Sequence, residues 1–172
     1  MSIRIITNRF RVAAAQEEIQ SQPKNWQIDT KRQNTLYEQG GTETINLVKS
    51  WSPHKLADHR DNHLYQPTEV FTQYPETLKL IYKYFPPELV ARIAIVKLLP
   101  GKFVFPHTDD GEYYMHRHRY HIAITGSYIY TVEDTRKQIE PGMLFWFNNK
   151  QVHCSWNNTS KDRISVIFDV AA

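Results

Sequence analysis

Residues 92–110 read RIAIVKLLPGKFVFPHTDD, and this stretch decides the fold class. Two runs rich in β-branched and aromatic residues, 92–99 and 102–106, lie on either side of a Pro100-Gly101 turn. Six further runs of the same kind follow at 119–124, 127–132, 136–140, 143–147, 150–156 and 163–170. Short strands at regular spacing with turns between them are typical of jelly rolls and small barrels. The sequence therefore predicts a mainly β protein with a jelly-roll or barrel core.

The N-terminal half is more polar and predicts helices and loops on one side of that core. Residues 11–22 are good helix formers without a breaker, and residues 75–86 place apolar side chains at helical spacing between prolines. A short strand is expected at 43–51, and a polar loop at 52–67. This loop, with the residues around it, is the part of the N-terminal half most expected to cover a site in the barrel.

Composition excludes several function classes. The net charge is +3, and the basic residues are interleaved with 18 acidic ones, so nucleic acid is not an expected partner. Cys154 is the only cysteine, which excludes an intramolecular disulfide, and neither a signal peptide nor a membrane span is predicted. We expect a soluble, cytoplasmic protein of one domain, in which residues 1–90 pack on a jelly-roll core formed by residues 91–172. The sequence indicates no oligomeric state.

The end of the opening stretch carries candidate metal ligands. Side chains at i and i+2 of a strand point to the same face, so His107 and Asp109 can approach one ion. Asp110 is the competing carboxylate, which the same alternation disfavours. A third ligand is expected from a strand distant in sequence, and His153 is the candidate. Two histidines and one carboxylate with the opposite positions open suit non-haem Fe(II). The alternative is that these are unrelated surface histidines.

The surrounding residues contain several further features in a fixed order. A Pro-Gly turn precedes PHT, an R-x-R-x-H segment follows, and an acidic-Pro-Gly turn leads into an aromatic strand. A histidine then has a tryptophan three residues on and an arginine ten residues on. These features are Pro100-Gly101, 106–108, 117–121, 140–147, His153, Trp156 and Arg163. In this order they resemble the aspartyl/asparaginyl β-hydroxylase family, over roughly residues 90–170. The resemblance implies a double-stranded β-helix with flanking helices, and a dioxygenase that uses Fe(II), 2-oxoglutarate and O2 to hydroxylate an unactivated C–H.

The resemblance also implies roles for the candidate ligands. His107 and His153 match the iron ligands of the family, and Asp109 completes a facial triad where vertebrate-type members have glycine. The implied substrate is an aspartyl or asparaginyl residue of a peptide or protein, or a free amino acid. A cupin-like metal-binding protein that does not use 2-oxoglutarate, such as an isomerase or a metabolite sensor, is the alternative function.

Three further residues match the cosubstrate site of the family. Arg163 matches the arginine that binds the distal carboxylate of 2-oxoglutarate, and Arg119 and His121 match residues that hold its other end. Arginine suits the first role because its planar guanidinium binds a carboxylate through two hydrogen bonds. A hydroxyl partner for the distal carboxylate is expected about eleven residues before His107, where this chain has Val96. The contacts of this chain to the distal carboxylate must therefore differ in detail from those of the family.

Strand alternation divides the histidine-rich run MHRHRYHI, residues 115–122. Arg117 is predicted to share the cavity-facing side with the two cosubstrate residues, whereas His116 and His118 are predicted to lie on the outer side or at the rim. The preceding residues 111–115 are expected to form a flexible rim.

Two other groups offer alternative sites. His59 and His63 have the spacing of a helical zinc pair, but their segment lacks helical periodicity and a nearby third ligand, so a loop is expected there. Cys154 lies on the opposite strand face from its neighbour His153 and is expected to pack against other residues instead of reacting.

Overall fold

A computed structural model describes residues 2–30, 34, 37–50 and 64–172 of the chain. The strands are β1 (Ile3–Thr7), β2 (Thr42–Ser50), β3 (Tyr65–Pro67), β4 (Val90–Leu98), β5 (Phe103–His107), β6 (Arg117–Thr125), β7 (Tyr128–Val132), β8 (Thr135–Ile139), β9 (Leu144–Phe147), β10 (His153–Trp156) and β11 (Arg163–Ala171). The helices include α1 (Ala13–Gln20), α2 (Pro75–Tyr82) and the one-turn α3 (Glu112–Met115).

The strands form two antiparallel sheets that face each other. The larger has seven strands in the order β1-β9-β6-β11-β4-β2-β3, and the smaller has four in the order β5-β10-β7-β8. Consecutive strands such as β6 and β7 lie in different sheets, so the chain crosses repeatedly between the two layers. This arrangement is a double-stranded β-helix, and the jelly-roll prediction is confirmed.

Each face of the larger sheet has its own apolar core, because successive side chains of a strand point to opposite faces. On the outer face, side chains such as Ile122, Val166 and Ile95 pack against α1 and α2. On the inner face, Ala123 and Phe145 pack against Tyr128 and other side chains of the smaller sheet. The inner face also carries polar residues toward one end of the barrel, and these form the site described below.

The two helices on the outer face are joined by one carboxylate. Glu18 of α1 accepts hydrogen bonds from the backbone N–H of Glu76 and of Thr77, both at 2.8 Å, and from the Thr77 hydroxyl at 2.7 Å. It therefore satisfies first-turn donors of α2 that have no partner within that helix. Leu78 and Ile81 of α2 are buried against the sheet. None of the described helices is long and apolar enough to cross a membrane.

The elements predicted from residue 92 onward are confirmed, since each predicted run contains one strand. Helices are also present within 11–22 and 75–86, and the strand expected at 43–51 is β2. The second helix ends at Tyr82, earlier than predicted, because the prolines that begin at Pro86 cannot continue it.

The prediction for the N-terminal half was wrong in one respect. Its strands β1, β2 and β3 are hydrogen-bonded into the larger sheet, so this half does not merely pack on the barrel. The sequence did not predict the edge strand β1, because only Ile3 of its five residues is buried and the hydrophobic pattern of a buried strand is therefore weak. Strand β3 lies within the loop predicted at 52–67. The first twelve residues of that loop, with His59 and His63, lie outside the described residues.

Candidate metal centre

The three predicted metal ligands come together at one end of the barrel. His107 is the last residue of β5, His153 is the first of β10, and the two lie directly opposite each other in the antiparallel pair. Their ring centroids are 4.4 Å apart. Asp109 follows two residues after β5, and the candidate ligand atoms of all three residues lie within 4.8 Å of one another. Asp110 is exposed and accepts a hydrogen bond from the Thr108 hydroxyl, so it does not belong to this cluster.

Backbone carbonyls fix the orientation of both imidazoles. The Nδ1 atom of His107 lies 2.7 Å from the carbonyl oxygen of Phe105, and that of His153 lies 2.9 Å from the carbonyl oxygen of Gln151. A carbonyl only accepts, so each Nδ1 carries the hydrogen and each Nε2 keeps its lone pair. Metal-binding histidines are commonly held in this way. Both lone pairs are therefore available on the cavity side.

Burial and neighbouring charges favour the protonation states that a cation needs. Burial lowers the pKa of His153 to about 4, although the nearby Asp109 carboxylate acts in the opposite direction. Burial alone would raise the pKa of Asp109, but Arg119, with smaller contributions from His153 and Asn149, holds it below its ordinary value. At neutral pH His153 is consequently an uncharged donor and Asp109 an anion. This donor set fits a divalent transition metal.

A buried network holds the Asp109 carboxylate. Its Oδ2 atom accepts hydrogen bonds from Arg119 at 2.8 Å and from the Asn149 amide at 3.1 Å. Arg119 in turn donates to both oxygens of Asp169, at 2.8 and 2.9 Å, and Asp169 also accepts a hydrogen bond from the Tyr113 hydroxyl. Sequence reasoning missed Asn149, Asp169 and Tyr113. Arg119 lines the cavity, but its contacts to these two carboxylates leave its expected role with a cosubstrate as a prediction.

A second cationic group lies on the inner face of the same cavity. Arg163 at the start of β11 is only 2 % exposed, and its guanidinium donates to the hydroxyls of Ser155 at 2.8 Å and Ser165 at 3.0 Å. It also lies 4.2 Å from the ring centroid of Tyr128. Among the described residues it has no carboxylate partner, and its Nε atom has no hydrogen-bond acceptor. A buried cation without a counter-ion favours an anionic ligand, because burying a charge is costly unless it is paired.

The cavity connects the arginine to the metal ligands. Its lining consists of Gln39, Val96, Val104, His107, Arg119, His121, Tyr130, Phe147, His153, Ser155, Arg163 and Ile167. Gln39, which sequence reasoning did not single out, places its amide nitrogen 3.5 Å from Nε2 of His107. His121 lies among aromatic rings, with Phe145 and Phe147 centroids both 5.1 Å away.

The predicted division of residues 115–122 is seen in part. Arg119 and His121 line the cavity and His116 and His118 are exposed, whereas Arg117 is buried outside the cavity lining and donates to the Tyr65 hydroxyl. The rim predicted at 111–115 contains helix α3, whose Tyr113 is buried. The Tyr113 hydroxyl donates a hydrogen bond to Asp169, which anchors this part of the rim to the network described above.

The fold is a jelly roll, and two histidines and one aspartate lie together at one end of its barrel. This combination is typical of a class of metal-binding β proteins. The comparisons assign the family. The family model described as aspartyl/asparaginyl beta-hydroxylase matches residues 9–172, nearly the whole chain. The protein belongs to this family, as the sequence resemblance predicted, and it is a hydroxylase.

One solved structure shows the same fold. A protein of the 2OG-Fe(II) oxygenase family from Burkholderia pseudomallei has a TM-score of 0.60 at 9 % identity, covering 99 % of this chain and 84 % of its own. At this identity the likeness informs on the fold alone. A predicted oxalate decarboxylase from Thermotoga maritima has a TM-score of 0.45 at 11 % identity, covering 76 % of this chain and 81 % of its own. No curated protein sequence matches.

Proposed function

We propose that the protein is an Fe(II)- and 2-oxoglutarate-dependent dioxygenase that hydroxylates an unactivated C–H of an amino acid. The amino acid is either free or an aspartyl or asparaginyl residue in a peptide or protein. One observation carries the proposal: a cavity joins a His-Asp-His cluster to Arg163, a buried cation without a carboxylate partner among the described residues. A metal cation and a dicarboxylate together would satisfy both ends of such a cavity.

The proposed iron ligands are His107, Asp109 and His153. Two neutral imidazoles and a carboxylate are the donors that non-haem Fe(II) prefers, and three protein ligands leave coordination positions for small molecules. Fe(II) with 2-oxoglutarate supplies the oxidative chemistry, in which O2 is activated and succinate and CO2 are the co-products. The protein contributes ligand orientation, which the Asn149 and Arg119 hydrogen bonds to Asp109 support.

Arg163 is the proposed partner of the distal carboxylate of 2-oxoglutarate. Its guanidinium is held by two serine hydroxyls and a tyrosine ring, so it is oriented before a ligand binds. Such preorganisation reduces the entropic cost of binding. His121 and Arg119 line the same cavity, and we propose that His121 in particular lies beside the other end of the cosubstrate.

A carboxylate-bearing substrate is supported by the charges beside the site. Arg92 lies 3.8 Å from the ring centroid of Tyr113, and Arg117 lies 5.5 Å from it. Lys150 donates a hydrogen bond to the backbone carbonyl of Arg117. Two described carboxylates nearby, Asp109 and Asp169, are both bound by one arginine, whereas Asp110 and Glu112 are exposed at the rim. The three cationic side chains suit the carboxylate of a free amino acid, a short peptide or an acidic side chain.

A binding experiment tests the cosubstrate assignment without requiring turnover. Mn²⁺-loaded protein is titrated with 2-oxoglutarate under nitrogen in a calorimeter, and Arg163→Met is compared with wild type. Loss of a buried charge pair predicts binding weaker by at least about 30-fold. Arg136→Met is the matched control, since Arg136 is exposed on β8. Equal affinity of wild type and Arg163→Met would exclude Arg163 as the partner of the distal carboxylate. No binding of 2-oxoglutarate by wild type would leave the cupin-like alternative, a metal protein that does not use 2-oxoglutarate.

A further inference from the structure

The position expected to supply a hydroxyl to the distal carboxylate of 2-oxoglutarate is Val96, and Val96 lines the cavity. An arginine alone does not satisfy a buried carboxylate, because the two oxygens together accept about four hydrogen bonds. Ser155 and Ser165 both accept hydrogen bonds from its guanidinium, and the Ser165 hydroxyl also contacts that of Tyr128. With one hydrogen bond donated by the Ser155 hydroxyl, the carboxylate still has acceptor positions for another donor on this part of the cavity wall.

Tyr130 on β7 is such a donor. It is 4 % exposed, it lines the same cavity, and its hydroxyl has no hydrogen-bond partner among the residues that the structure describes. Tyr128, two residues earlier on the same face, differs in this respect because its hydroxyl contacts Ser165 at 3.0 Å. The Tyr130 hydroxyl is therefore an open donor at the cavity wall, available to a ligand in the cavity.

The strand register places Tyr130 between the two ends of the cavity. It lies directly opposite Ser155 of β10, whose hydroxyl binds Arg163. On its other side, its ring is stacked with His153 at a centroid distance of 6.3 Å and contacts His121 at 5.4 Å. A molecule that extends from Arg163 to the metal ligands must pass this side chain.

Thr44 is the competing donor. It lies directly opposite Val96 in the register of β2 and β4, and its buried hydroxyl also lacks a partner among the described residues. However, Thr44 is not part of the cavity lining, whereas Tyr130 is. The observations therefore favour Tyr130.

We propose that the Tyr130 hydroxyl donates a hydrogen bond to the distal carboxylate of 2-oxoglutarate, in place of the hydroxyl that Val96 cannot supply. This inference rests on the proposed function. It assigns the missing contact to the smaller sheet, so that the carboxylate is held from both layers of the jelly roll, by Arg163 on one side and by Tyr130 on the other.

The test compares two ligands that differ only at the distal end. The Mn²⁺-loaded Tyr130→Phe protein is titrated under nitrogen with 2-oxoglutarate and with 2-oxopentanoate, which has a methyl group in place of the distal carboxylate. A hydrogen bond to a charged group predicts that 2-oxoglutarate binds roughly 10-fold to 100-fold more weakly than to wild type. The affinity for 2-oxopentanoate should stay unchanged. Because both ligands are measured on each protein, a general loss of folded protein cancels.

Two variants serve as comparisons. Tyr120→Phe makes the same change on the outer face of the sheet and should leave both affinities unchanged. Thr44→Val removes the competing hydroxyl, and a selective loss of 2-oxoglutarate binding in this variant instead of Tyr130→Phe would overturn the inference. So would an equal loss for both ligands in Tyr130→Phe, which would place the contact at the metal end.

The same data separate this inference from the proposed function. If wild type binds 2-oxoglutarate and Arg163→Met does not, while Tyr130→Phe binds it as tightly as wild type, the inference about Tyr130 alone is wrong. If wild type binds no 2-oxoglutarate at all, both fail.

Discussion

Lowering the pH from 7.5 to 5 should destabilise the metal-free protein through His153. This histidine is 4 % exposed, and burial lowers its pKa in the folded state to about 4, against an ordinary value of 6.5. Between these two values the unfolded chain binds a proton at this position and the folded protein does not. Stability therefore falls as the pH falls through 6.5 and continues to fall until about pH 4.

The size of the stability loss follows from the pH interval below the ordinary pKa of His153. From pH 6.5 to pH 5 the unfolded state gains about 1.4 kcal/mol per pH unit, so His153 contributes a loss of about 2 kcal/mol at pH 5. Asp109 acts at lower pH: its lowered pKa contributes stability above its ordinary value of 3.8, and this contribution is lost only below that pH. Of these two residues, His153 is consequently the one that acts between pH 7.5 and 5.

Urea denaturation of the metal-free protein at both pH values measures the effect. The chain has seven other histidines, so the informative quantity is the difference between wild type and His153→Gln. The variant should lose about 2 kcal/mol less than wild type between pH 7.5 and 5. Equal losses in the two proteins would refute the reasoning that His153 is held neutral by burial.

Three further predictions concern residues around the site and the fold. Asp169→Asn should weaken Mn²⁺ binding about 10-fold to 100-fold, measured by titration, because Arg119 loses the carboxylate that orients it toward the metal ligands; an unchanged affinity would contradict a supporting role. Glu18→Ala should cost about 1–2 kcal/mol of unfolding free energy, since it uncaps α2, whereas the exposed Glu17→Ala should cost far less. Gly142→Ala should lower the melting temperature, because the backbone φ is +89° and an added Cβ would lie 2.7 Å from a carbonyl oxygen; an unchanged melting temperature would show that the turn relaxes freely.

Most strands of the barrel and two of the candidate metal ligands could be predicted because their signals are local. Most strands of the second half are runs rich in apolar and aromatic residues between turn residues, and His107 and Asp109 are two residues apart. His153 was predicted from its place after a strand and a turn, on the expectation that a distant strand returns beside β5, and the family resemblance implied the same residue. The register of β5 and β10 places the two histidines directly opposite each other.

The network that holds Asp109 could not be predicted in the same way. Arg119 and Asp169 are 50 residues apart and Asn149 is 40 residues from Asp109, so nothing in the local sequence connects them. The surroundings of the Tyr130 hydroxyl could not be predicted from the sequence either. In SYIYTV, both tyrosines point to the same face of β7, and only the fold shows that the Tyr128 hydroxyl meets a serine whereas the other faces the cavity.

Succinate formation from 2-oxoglutarate tests the central claim most directly. The Fe(II)-loaded protein is incubated in air with 2-oxoglutarate and a panel of free amino acids and aspartyl- or asparaginyl-containing peptides, and succinate is measured above the background without a substrate. The account predicts succinate in an amount equal to hydroxylated product for at least one member of the panel. It also predicts loss of this activity in His107→Ala and His153→Ala. Undiminished turnover in those variants, or no consumption of 2-oxoglutarate by folded, iron-loaded wild type with any substrate, would contradict it.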